Sequence, residues 1–250
     1  PLEAVKIAQE NPDREVVFFA VGFETTAPAN ALSVIHAQRA GVSNYSILAS
    51  HVLVPPAIEA VMNDPDSNIQ GFLAAGHVCA IMGIDEYYPL VDRYKIPIVV
   101  TGFEPVDLVQ GILMTVRQLE KGEHQLENQY SRVVKPEGNP EAQKVIQRIF
   151  TIADREWRGI GVIPMSGYEV RPEYVAYDAN IKFKVNIEKA AESNECIAGL
   201  VLKGIKKPQE CPQFGRGCTP QMPLGAPMVS SEGACAAYYH FSQAMAELEA

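Results

Sequence analysis

The chain has 250 residues, 47% of them hydrophobic and 20% charged, with a formal net charge of −9. That length allows one large domain or two smaller ones, each with a buried core. The acidic balance argues against nucleic-acid binding, which wants a basic face. The sequence shows no signal-peptide pattern and no apolar run of bilayer length.

Leu2 to Gln9 reads as a short amphipathic helix stopped by Asn11-Pro12. Glu15 to Val21 is a continuous apolar, β-prone run, of the kind that fills a central parallel strand buried on both faces. Gly22 breaks it, Thr25 or Thr26 is placed to cap the next helix, and Pro28 fits that helix's first turn. The helix is expected from Ala29 to Ala40, closed by Gly41. The pattern then recurs three times. Strands are expected at Tyr45–Ser50, Ile69–Ala74 and Ile96–Thr101, with helices opened by Pro55-Pro56, near Val78–Met82, and from Pro105 to about Lys121. Strand–helix alternation with short connections predicts an α/β fold with a parallel sheet. This parallel α/β domain is placed at residues 1–134.

Ligands of open α/β sheets bind beyond the carboxyl ends of the strands. Those ends carry Glu24, Thr25 and Thr26, then His51, then His77, then Glu104. Gly22-Phe23-Glu24 and Gly102-Phe103-Glu104 repeat one tripeptide. Each group also has a plainer reading: Thr25 and Thr26 as helix-start residues, Glu24 as a first-turn acid, His77 as a structural histidine. Neither a G-x-G-x-x-G fingerprint after a strand nor a phosphate-binding G-x4-G-K-[ST] is present, and no H-E-x-x-H helix or Ser-His-Asp set is recognisable.

Residues 135–250 are expected to form a smaller α+β, loop-rich domain. Leu126 to Val134 is read as a further strand leading into it, Asn139-Pro140 starts a helix reaching Ala153, and Arg158–Ile163 is read as a strand. Pro164–Ala179 is read as an ordered loop, Ile187–Ala191 as helical, and the last helix as starting at Ser231. Four of the five cysteines fall here, spaced C-x14-C-x6-C-x16-C at Cys196, Cys211, Cys218 and Cys235 among many glycines and prolines. Four soft thiolates suit zinc or an iron–sulfur cluster, and the tight C-x2-4-C knuckles usual for structural zinc are missing. Unrelated buried cysteines and a disulfide framework are the other readings; an odd cysteine count fits a reducing cytoplasm better. Cys79 stands apart and is taken as a helix-face residue.

The run Cys196-Ile-Ala-Gly-Leu-Val-Leu-Lys-Gly204, the segments Cys211-Pro-Gln-Phe-Gly215 and Cys218-Thr-Pro, and Met228-Val-Ser-Ser-Glu-Gly-Ala-Cys235 closely resemble the C-terminal region of the HypD hydrogenase maturation factors. Gly22-Phe-Glu-Thr-Thr26 and Gly76-His77-Val78 match further motifs of that family, so the resemblance covers nearly the whole chain. It implies a [4Fe-4S] cluster on Cys196, Cys211, Cys218 and Cys235. It implies a cleft role for His77 as hydrogen-bond or proton donor, for Glu24 as a charge or proton-relay group with Thr25 and Thr26, and for Glu232 near the cluster or cleft. The family's Cys-Pro-Val-Cys motif, implicated in holding iron, is not in this sequence, which looks like the C-terminal two-thirds of a HypD.

The function so implied is that of an assembly scaffold with a redox cluster more than of a classical turnover enzyme. It would help build the iron–cyanide–carbonyl centre of [NiFe] hydrogenase with a HypC-type small chaperone and a HypE-type cyanide donor, in the cytoplasm, without nucleic acid or membrane. The rival readings are a stand-alone [4Fe-4S] redox enzyme and a structural zinc domain joined to an α/β ligand-binding domain.

Overall fold

The computed structural model describes residues 1–185 and 195–248, with side chains as far as residue 242. The expected helix at Ile187–Ala191 therefore lies outside the described residues. The chain divides into two compact units: Pro1–Ala57, Gln70–Arg155 and Pro164–Ile187 form the first, and Ile58–Ile69, Glu156–Ile163 and Glu188–Ala250 the second.

The first unit opens with α1 (Leu2–Glu10), β1 (Val16–Gly22), α2 (Ala27–Arg39) and β2 (Tyr45–His51). β1 and β2 pair in parallel from Val16↔Tyr45 to Gly22↔His51. Next come α3 (Val54–Met62), β3 (Phe72–Ala75), α4 (Gly76–Met82), α5 (Tyr88–Tyr94), β4 (Ile98–Thr101), α6 (Pro105–Lys121) and β5 (Leu126–Asn128). β3, β4 and β5 make a second parallel sheet with β4 in the middle. The fold is α/β, as the alternation predicts, but its first five strands are shared between two parallel sheets.

That division corrects the expectation for the first apolar run. β1 has β2 as its one sheet neighbour among the described residues, and Val17, Phe19 and Val21 on one face are 45%, 58% and 58% exposed. The doubly buried strand is β4, whose Ile98, Val99 and Val100 are sealed from solvent. Each such side chain contributes roughly 1.5–3 kcal/mol of burial.

Helix ends follow the sequence signals in part. Pro105 opens α6, and Gly122 closes it at φ +67°, a left-handed position that glycine adopts without strain. Thr26 occupies the N-cap of α2 without a capping bond; its hydroxyl donates to the Phe23 carbonyl at 3.0 Å. α6 turns polar residues inward: Asp107 and Gln118 are buried, while Val106, Val109 and Ile112 are exposed.

α7 (Pro140–Ile149) starts as expected, with the Asn139 side chain accepting from Ala142 N–H at 3.1 Å. It ends at Ile149, not Ala153, because the chain passes directly into β6 (Phe150–Trp157), which pairs with β7 (Gly161–Val170). The segment read as a loop from Pro164 is thus strand as far as Val170, then a 3-10 turn at Pro172–Tyr177 and α8 (Ala179–Lys182). Ile146, Ile149, Phe150 and Tyr168 join Val34, Tyr45 and Ile47 in one core.

The second unit holds α9 (Ala198–Leu202), a 3-10 turn at Pro208–Glu210, α10 (Ala226–Val229) and α11 (Ala234–Leu248), joined by loops. Lys203 ties two of its segments together through an ion pair with Asp64 (2.5 Å) and a bond from Asn68 N–H to its carbonyl (2.9 Å).

Candidate functional site

The four clustered cysteines come from four local structures. Cys196 precedes α9, Cys211 follows the Pro208–Glu210 turn, Cys218 ends a tight loop, and Cys235 is the second residue of α11. The loop between the middle pair is held by Phe214 N–H to the Cys211 carbonyl (3.0 Å), Cys218 N–H to Gln213 (2.8 Å) and Gly215 N–H to Cys218 (3.0 Å). All four thiols are free, and all four line one small cavity walled by Ile197, Val201, Phe214, Pro227 and Met228. Leu224 N–H points at Cys218 Sγ from 3.3 Å. A Cβ on Gly225 would collide with Cys196 Sγ, so glycine is what lets the chain pass that thiol.

Burial pushes the Cys235 thiol up to about 11, and the charges of Cys218, Cys196 and Cys211 push the same way. The Cys235 sulfur therefore feels the other three, and a cationic metal centre among them would reverse that repulsion. Among the described residues, no three of His, Cys, Asp and Glu form a group that could hold a single metal ion. Cys79 lies in the first unit, buried in α4, its thiol pushed up to about 11 by desolvation. Glu232 is exposed in the turn before α11, its N–H bonded to Ser230 Oγ at 3.2 Å, and does not line the cysteine cavity.

The strand ends of the first unit divide into two sites. At the ends of β3 and β4, His77 is exposed, its ring 4.8 Å from that of Phe103. Asp107 is gripped there by both ends of the Arg132 guanidinium (2.7 and 2.6 Å) and by Gln129 (2.9 Å), which hold its carboxyl below the usual range. Arg132 also stacks over Tyr130 at 4.5 Å and reaches Glu104 at 3.5 Å. The strand-end rule points to His77 and Glu104, whereas Asp107, Tyr130 and Arg132 carry no motif that would mark them.

At the end of β1, Glu24 is 1% exposed. Its Oε1 accepts from Val54 N–H at 2.8 Å, while Oε2 has no hydrogen-bond partner among the described residues. Burial pushes its carboxyl up to about 7, against the Val54 bond and with help from the Glu86 charge. Glu24 lines a cavity of about 330 Å³ with Glu86, Gln143, Phe150, Tyr168 and Arg171. Thr25 is half-buried and Thr26 exposed; neither lines that cavity, nor does His77. His51 is fully buried, with Nε2 2.7 Å from the Asn30 amide nitrogen and its ring edge-on to Phe150. Desolvation and then the Arg155 charge push it down to about 4, so it is neutral at pH 7.

The family model described as "HypD: Hydrogenase formation hypA family" matches residues 1–242. The chain belongs to the HypD family. It is similar to the hydrogenase maturation factor HypD of Rhodobacter capsulatus, 47% identical over 251 residues that cover 98% of this chain and 67% of the relative. HypD of Azotobacter vinelandii is 43% identical over 249 residues, 97% of this chain and 66% of the relative. HypD of Escherichia coli K12 is 43% identical over 248 residues, 99% and 66%. The chain thus spans about two-thirds of the length of these HypD relatives.

Proposed function

We propose that this chain serves in [NiFe]-hydrogenase maturation as scaffold, carrying a [4Fe-4S] cluster on Cys196, Cys211, Cys218 and Cys235 and taking part in assembly of the iron–cyanide–carbonyl centre. The observation that carries the reading is the set of four free thiols lining one apolar cavity. The donor set fits such a cluster, which takes four thiolates at four separate irons. Four thiolates also suit one tetrahedral zinc, and it is the resemblance to the HypD family that favours the cluster. When bound, the cluster supplies or accepts electrons at a potential set by its surroundings. The chain's own part is to exclude water with Phe214 and Met228, and to steady the Cys218 thiolate with the Leu224 N–H.

In this reading the cargo is iron with cyanide and carbonyl ligands, and the partners are a HypC-type small chaperone and a HypE-type cyanide donor, met in the cytoplasm. His77, exposed beside Phe103, offers a proton or hydrogen bond to a diatomic ligand or a thiolate. Glu24 is the group able to exchange a proton near pH 7, with Thr25 and Thr26 shaping its turn and Glu232 serving near Cys235. The test is the visible spectrum and the iron, sulfide and zinc content of chain purified without oxygen. Brown protein with about four iron and four sulfide per chain supports the cluster. Colourless protein with about one zinc sinks it and leaves a structural zinc domain.

A further inference from the structure

The second unit holds, wholly within itself, a cavity of about 260 Å³ that the maturation reading leaves unused. The turn joining β6 to β7 makes one rim, with Arg158 and Gly159, and α9 makes another. The two rims touch through glycines: a Cβ on Gly199 would come within 2.8 Å of the Gly159 carbonyl. Gly159 itself stands at φ +86°, where a side chain would be strained. Ile197, Leu200 and Leu224 supply apolar lining, and Leu200 and Ala226 are themselves exposed, so the space is open to solvent. The charged residues of the lining are Arg158 and Lys203. None of the chain's 30 acidic residues is among them, although the net charge is −9. Lys203 is engaged by Asp64 at 2.5 Å. The Arg158 side chain is exposed and has no ion pair or hydrogen bond among the described residues.

We propose that this cavity binds a small carboxylate with a short apolar tail, its carboxylate held by Arg158. A guanidinium presents paired N–H donors that match the two oxygens of a carboxylate. The tail packs on Ile197, Leu200 and Leu224, and each CH2 it buries is worth roughly fourfold in affinity. The volume suits a ligand smaller than drug size. A phosphate carries more charge, wants more donors than one guanidinium offers, and leaves the apolar lining wet. An organic cation meets Arg158 and Lys203 and is disfavoured. Cys196, Ile197, Ala198 and Gly225 line both this cavity and the cysteine cavity. The bound carboxylate thus lies beside one of the four thiols, while its anchor stands outside the cysteine set.

The test is equilibrium dialysis of the whole chain against radiolabelled pentanoate, with metal content assayed on the same sample so that the cluster reading succeeds or fails separately. The competitors are pentanol, with the same tail and no charge, pentylammonium, with the opposite charge, and inorganic phosphate. The expected result is saturable binding of one pentanoate per chain, roughly tenfold tighter than any competitor and weaker as salt is raised. Arg158→Gln removes the charge from an exposed side chain, so the fold is kept and pentanoate binds roughly tenfold more weakly. Arg158→Lys keeps the charge without the fork and retains binding in part. Ala226→Phe narrows the cavity from an exposed position and also weakens binding. Pentanol or phosphate competing as tightly as pentanoate binds, pentanoate binding unchanged in Arg158→Gln or Ala226→Phe, or no saturable binding overturns the proposal.

Discussion

Replacing Glu24 by glutamine isolates the consequence of burying a carboxyl group with one oxygen unpartnered. In the folded chain this acid holds its proton up to about pH 7, whereas the model-peptide value is 4.5. Below pH 4.5 the folded and unfolded states both carry the proton and the group is neutral in its effect. Between 4.5 and 7 the unfolded chain releases the proton and the folded chain keeps it, so stability falls as pH rises, by about 1.4 kcal/mol per pH unit. Across the window that amounts to about 3 kcal/mol. Above pH 7 the loss is complete and flat. The glutamine side chain does not titrate, so the Glu24→Gln chain gains on the parent by that amount between pH 4.5 and 7, while contributions from other groups cancel in the comparison. The direct assay is a carbon-13 titration of the Glu24 carboxyl, with denaturant unfolding of parent and variant at matched pH as the second. A carboxyl titrating near 4.5, or two stability curves that stay parallel from pH 4.5 to 7, refutes the reasoning.

Cys79→Ser is expected to leave iron and sulfide content unchanged, because Cys79 is buried in the first unit and does not line the cavity; iron loss in the variant, measured per chain, refutes that separation. Gly225→Ala puts a methyl group against Cys196 Sγ, and is expected to lower bound iron and to destabilise the second unit by about 1–3 kcal/mol. Full iron loading with unchanged thermal unfolding would show that the loop gives way freely. Arg132→Ala removes the guanidinium fork from Asp107, so the carboxyl titrates closer to its ordinary range. Because that pKa is depressed in the folded chain, the stability at stake is present at neutral pH and lost on acidification. An Asp107 titration that stays put in the variant would assign the depression to Gln129 instead.

The elements easiest to read were those with punctuation. Gly22, Pro55, Pro105 and Gly122 mark breaks that the backbone respects, and Asn139 caps α7 as its side chain allows. The passage from Ile149 to Phe150 has neither glycine nor proline, so nothing in the local chemistry separates the end of α7 from the start of β6. Pro164 and Gly167 look like loop residues, yet both sit within β7. Sheet membership was hidden for a different reason. An apolar run such as Val16–Val21 reports strand propensity but not how many neighbours the strand finds, and β1 finds β2 alone among the described residues. At the candidate sites, the cysteines stood out because thiols are few. The Glu24 cavity did not, since Leu53, Glu86, Phe150 and Tyr168 are remote in sequence and meet through packing.

The spacing of the four cysteines also sets an order of assembly. Closing a loop becomes harder with its length, and the 6-residue segment between Cys211 and Cys218 is the shortest of the three. Against the 16-residue segment leading to Cys235 its entropic advantage is about 0.9 kcal/mol for flexible chain. The real advantage is larger, because backbone hydrogen bonds from Phe214, Gly215 and Cys218 already hold that loop in shape. For the proposed cluster, Cys211 and Cys218 thus form a ready-made landing pair. In that reading Cys196 and Cys235 would join afterwards, and a chain stalled before that step would hold iron by two sulfurs.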